Sequence, residues 1–161
     1  MRCAWLRGWG TGGIRAMDAQ AAFARQIEAV IAREIQTVCR PVPPVPRVPR
    51  LLRLPDGASM GYSLTPMLSD DPITMERDGR PMQLIPGVLQ VDMVRSTLAV
   101  PQPLQALEAM LKTALPGRRF GLMDDATLAL RGVQQVRPDR QRGEIHYVTL
   151  TLGLRVTAPV W

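Results

Sequence analysis

The sequence predicts an α+β fold, a mostly antiparallel β-sheet packed by two amphipathic helices, and three observations carry the prediction. Apolar residues recur at helical spacing after Asp18 and again over residues 103 to 115. Apolar and polar residues alternate over Gly87–Met93 and over 147–156, the period of a half-buried strand. The order of the second half, strand then helix then hairpin, gives each apolar face another to cover. A chain of 161 residues has room for one core. The expected division is a disordered N-terminal extension, residues 1–16, followed by one α+β domain over 17–161.

Residues 1–16 contain Trp5, Trp9 and the run Gly-Trp-Gly-Thr-Gly-Gly, with neither helical nor strand periodicity. Arg7 and Gly8 break any apolar core that a secretory signal would need. An initiator at Met17 is the plainer explanation of this stretch, and a basic aromatic arm that binds a partner is the sharper one. From Asp18, an expected N-cap, Phe23, Ile27, Ile31 and Ile35 form a stripe that Val30 and Val38 widen. Pro41 must stop this helix near Cys39, since the run 41–49 removes donors and fixes extended backbone. That run reads as a stiff spacer, in preference to a polyproline ligand for an aromatic groove.

Residues 48–54 read as a short edge strand with prolines at its start. A loop is expected from Pro55 to about Pro81, and within it Asp78-Gly79 is the strongest hairpin signal in the chain. Asp70 and Asp71 precede Pro72 and are expected to satisfy turn backbone; with no histidine or third acid nearby they make a poor metal site. In the strand after Pro86-Gly87, Leu89, Val91 and Met93 face the core, with Gln90 and Asp92 opposite. Pro103 then starts a helix whose stripe is Leu104, Leu107, Leu111 and Leu115, broadened by Met110 and Ala114. Pro116-Gly117 ends it, Arg118 and Arg119 complement its dipole, and Phe120 returns to the core. The last two strands are expected to turn at Arg137-Pro-Asp139. Leu128 and Leu130 point inward on the first, with a bulge at Gly132. Val148, Leu150, Leu152, Leu154 and Val156 point inward on the second.

The net charge is +6, with 20 basic and 14 acidic residues. Half of that excess is Arg2, Arg7 and Arg15, so residues 17–161 are only mildly basic. All the basic residues except Lys112 are arginine, which reads as a composition bias. Cys3 and Cys39 are too few for a disulfide framework or a zinc site and suit a reducing compartment. Charges and prolines interrupt every hydrophobic run before membrane-spanning length. No nucleotide loop, zinc spacing or nucleophile elbow occurs, and the sole histidine, His146, reads as structural. The expectation is no enzyme, no catalytic residue, no cofactor and no metal.

The order of elements resembles the tail terminator-like family of long-tailed bacteriophages. The resemblance rests on the N-terminal helix, Val48-Pro-Arg-Leu-Leu-Arg-Leu-Pro55, the glycine-led strand Gly87–Met93, the Leu115-Pro-Gly117 turn after the second helix, and the last strand at Tyr147-Val-Thr-Leu-Thr-Leu152. It covers residues 18–158. The basic arm, the proline run and the crossover at 95–102 depart from the family pattern. The resemblance implies a structural protein of the virion tail, at its head-proximal end. Such a protein forms a ring, expected to be a homohexamer, on the last ring of tail tube protein, ends tube growth and presents a surface to the head-side connector. DNA passes through its lumen without sequence-specific binding. An exposed hairpin suits a ring interface, and Glu76, Arg77, Asp78, Gly79 and Arg80 are the expected interface residues. The rivals are another connector or tube ring protein, and a small basic DNA-binding module, which would need arginines clustered on one face among aromatics.

Overall fold

The computed structural model describes residues 13–38, 42–45, 47–48, 51–52, 60–97 and 102–160. Helix α1, Gly13–Val38, buries Phe23, Ile27, Ile31 and Ile35 in one stripe, as its periodicity predicts. It starts five residues before Asp18, the expected cap, and takes in residues 13–16 of the expected extension. Ala and Met at 16 and 17 continue the helical path where a break was expected; residues 1–12 lie outside the described residues. Val38, at the last helical position, is 37% exposed and does not widen the stripe.

The proline run does more than space the chain. Val42 and Val45 are buried, and Pro44 bridges Tyr62 in parallel sense. Tyr62 donates from its backbone to Pro43 and accepts from Val45. Pro41 and the other undescribed prolines of the run lie outside the described residues. The expected edge strand at 48–54 is instead a pair of two-residue strands, β1 (Arg47–Val48) and β2 (Leu51–Leu52), that pair with each other.

The main sheet has six antiparallel strands. They are β3 (Met60–Leu68), β4 (Ile73–Arg77), β5 (Arg80–Ser96), β6 (Arg119–Gly121), β7 (Thr127–Arg142) and β8 (Ile145–Pro159). The lateral order is β3-β5-β8-β7-β6, and β4 pairs with β5 on the same side as β3. The predicted loop at 55–81 therefore contains two strands. In β3, Met60, Tyr62, Leu64, Pro66 and Leu68 share one face through their register with Arg95, Met93, Val91, Leu89 and Gly87. Pro66 and Gly61 mask that alternation in the sequence, because both are poor strand formers.

Strand β5 is 17 residues long and pairs with β8 along its whole useful length, from Met82↔Pro159 to Ser96↔Ile145. Its core face carries Ile85, Leu89, Val91 and Met93, and β8 contributes Val148, Leu150, Leu152, Leu154, Val156 and Ala158. Helix α2, Gln102–Ala114, covers this face with Leu104 and its i+3 and i+7 companions Leu107 and Leu111, and Leu115 follows. Met110 is 40% exposed and lies off the stripe. Arg118, just past the end of α2, reaches Glu34 of α1 at 2.8 Å. Both helices thus lie on one face of the sheet, and the core lies between.

The final hairpin does not turn at Arg137-Pro-Asp139. Those residues form an irregularity inside β7, where the register shifts between Arg137 and Arg140. The turn is Gly143-Glu144, with Gly143 at φ 60 and Arg142 opposite Ile145. A glycine in the left-handed region at the first turn position is the type II′ pattern that matches strand twist, and Pro138 cannot supply it. The expected bulge at Gly132 is present as a register shift between Leu130 and Val133.

Candidate assembly interface

Asp78 and Gly79 connect β4 to β5 with φ 54 and φ 76. Left-handed backbone at both central positions is a type I′ turn, which Asp-Gly favours because glycine has no Cβ and aspartate tolerates the region. The turn sets Arg77 opposite Arg80 and Glu76 opposite Pro81. All five expected interface residues, Glu76, Arg77, Asp78, Gly79 and Arg80, are exposed and stand together at the tip. Every residue of β4 is exposed, and on its outer side no strand of the described residues pairs with it. An edge with unpaired backbone groups is a ready template for another chain.

This edge also exposes apolar surface. Ile73 is 58% exposed, Met75 37% and Met67 44%. Their registers with Leu84, Met82 and Val88 place all three on the sheet face opposite the helices. Periodicity could have found Ile73 and Met75, since they alternate with Thr74 and Glu76. Behind this edge, where the connection from β3 turns, Asp70 and Asp71 are exposed and the Asp71 amide donates to Ser69 Oγ at 3.1 Å. Among the described residues no three His, Cys, Asp or Glu side chains cluster as a metal site would require.

Farther up the same face, the polar side of β5 is not solvated as alternation alone suggests. Asp92 is 2% exposed, Thr149 5% and Ser63 3%, and register sets Asp92 between the other two. Thr149 Oγ donates to Asp92 Oδ1 at 2.6 Å, and Gln90 Nε2 donates to Oδ2 at 2.9 Å. Arg140 Nη2 donates to Thr149 Oγ at 2.5 Å, and its guanidinium lies 4.3 Å from the centre of the Tyr147 ring. A buried carboxylate is tolerable only with such donors. Asp92→Ala should therefore lower stability by about 1–3 kcal/mol, with Asp92→Asn costing less because one acceptor oxygen survives. Chemical denaturation of the two variants checks this order.

Between α1 and the outer side of β3, where Pro44 bridges Tyr62, runs a groove of about 710 Å³, bordered by Arg25, Glu28, Ala32, Val45, Tyr62 and Thr65. Partial desolvation of the exposed Glu28 side chain beside it raises that carboxyl's pKa from its ordinary value. His146 sits opposite Arg95 at the far end of the core face, beside the Gly143-Glu144 turn and away from the Asp78-Gly79 hairpin.

No protein-family profile matches the chain, and no curated protein matches it. Among solved structures, a chain that carries no functional name superposes with a TM-score of 0.45 at 16% identity, covering 86% of this chain and 92% of its own. A chain from the virion of a native gene transfer agent particle superposes with a TM-score of 0.39 at 18% identity, covering 86% of this chain and 94% of its own.

Proposed function

We propose that the chain is a structural protein of a phage-like virion that assembles into a closed ring, expected to be a homohexamer, at the head-proximal end of the tail. There it would cap the tail tube protein, end polymerisation and offer a surface to the head-side connector while DNA passes through the lumen. The observation that carries the reading is the β4 edge, exposed along its length, with an apolar face and a charged tip. A closed ring needs heterologous contact, one patch meeting a different patch on the next copy, and an open sheet edge supplies one such patch. The order of elements that resembles the tail terminator-like family supports the same reading. Another connector or tube ring protein would share this architecture.

A basic DNA-binding module is the second reading, favoured by one observation. Arg137 and Arg140 stand on the same face of β7 as Tyr147 of β8, next to Arg142. Yet Arg140 is already engaged with Thr149 and Tyr147, which leaves, among the described residues, no interleaved aromatic platform around the remaining arginines.

Replacing residues 74–79 with six Gly and Ser residues tests the proposal in a particle-forming strain. The change keeps chain length and spares Met82–Leu84, which pair with β8. Tails of uncontrolled length, or tails that fail to join heads, are the expected result. Normal virions from that strain would overturn the reading.

A further inference from the structure

The two lateral sides of the sheet carry opposite charge, and we infer that they meet: the β4 edge of one copy pairs with the free stretch of β7 on the next. This rests on the ring reading and supplies the second patch that it requires. Residues 69–78 hold Asp70, Asp71, Glu76 and Asp78 against the single Arg77. Residues 131–142 hold Arg131, Arg137, Arg140 and Arg142 against the single Asp139. Of these, Asp70, Asp71, Glu76, Asp78, Arg131, Arg137 and Arg142 form no ion pair with the described residues. Unneutralised charge of opposite sign on the two sides steers like copies together side to side and disfavours meeting through the same edge.

Backbone supports the same pairing. On β7, β6 covers only Thr127–Ala129, and the Leu130 amide and carbonyl bond to Arg118 and Gly117. From Arg131 to Arg142 no strand of the described residues lies on the outer side. Strand direction agrees as well. β4 runs opposite to β5, β5 opposite to β8, and β8 opposite to β7, so β4 and β7 run in opposite senses. A neighbour in the same orientation therefore continues the sheet in antiparallel pairing, the sense used by every other pair in it.

The two stretches are offset along the strands. β4 flanks Arg80–Leu84 of β5, a level that corresponds to Thr157–Pro159 of β8 and the start of β7, whereas the free part of β7 lies farther on. Successive copies would step along the strand axis. Closing tilted strands into a barrel-like ring requires such a stagger.

The test uses the full chain with three charge-reversed variants, followed by sedimentation and native mass spectrometry. The first is Asp70→Arg with Asp71→Arg and Glu76→Arg; the second is Arg131→Glu with Arg137→Glu and Arg142→Glu; the third combines both sets. Asp78 is left in place because it holds the turn. Each single-edge variant should associate with itself at least about tenfold more weakly than wild type, because like charges then face each other. An equal mixture of the first two, and the third alone, should recover association to within about threefold of wild type. Wild-type association should also weaken between about 0.05 M and about 0.5 M salt, which reads the charge contribution with no substitution.

Single-edge variants that form wild-type rings, or wild-type rings indifferent to salt, overturn the edge pairing and leave the ring reading intact. A wild-type chain that stays monomeric and binds duplex DNA through the arginines of β7 overturns both. Circular dichroism separates lost association from lost folding, and where a triple reversal unfolds, the neutral set Asp70→Asn, Asp71→Asn and Glu76→Gln should still weaken assembly.

Discussion

Leu150→Ala and Leu111→Ala should each lower stability by about 2–5 kcal/mol, through lost transfer energy and the cavity left behind. Both side chains are fully buried, Leu150 at the centre of β8 and Leu111 on the covering stripe of α2. They pack in one cluster with Ile27, Ile31 and Ile35 of α1, so the helices and the sheet stand or fall together. Arg25→Ala, on the exposed side of α1, should cost little by comparison. Urea denaturation of the three variants checks the ranking, and three equally mild effects would contradict the helix-on-sheet core.

Gly87→Ala should be nearly as damaging, although it adds only one methyl group. A Cβ there would sit 2.3 Å from the Met67 carbonyl oxygen and 3.2 Å from Leu154 Cδ1. The nearer atom belongs to the backbone of the adjacent strand, so relief requires β3 and β5 to separate where they are paired at Leu68↔Gly87. A cost at the upper end of about 1–3 kcal/mol is expected. Gly121→Ala, where a Cβ meets nothing within 4 Å, is the matched control. A shift of the Gly87→Ala melting temperature no larger than that of the control would count against the close approach of β3 to β5.

Gly87 also shows what could and could not be read from the sequence. Its place at the head of an alternating strand was legible, and Leu89, Val91 and Met93 do face the core. Its close contact with a second strand was not, because β3 hides its alternation behind Gly61 and Pro66. The hairpin at Asp78-Gly79 was legible because its turn chemistry is local. The final turn was misplaced for the opposite reason: Arg-Pro-Asp looks like a turn locally, while pairing with β8 carries β7 through it to Gly143. The expected interface residues are brought together at one exposed tip, yet the sequence alone did not mark the β7 edge. Its arginines are spread over 12 positions interrupted by a bulge, and only the sheet order shows that they occupy the side opposite to β4. Nor could alternation reveal that Asp92 is buried, since that depends on Thr149 and Arg140, far away in sequence.

Native mass spectrometry of the full chain at assembly concentrations tests the central claim most directly. A single closed species at six times the 17.8 kDa chain mass is the predicted result, with no ladder of longer oligomers. A monomer at every concentration, or an open-ended series of oligomers, would contradict it.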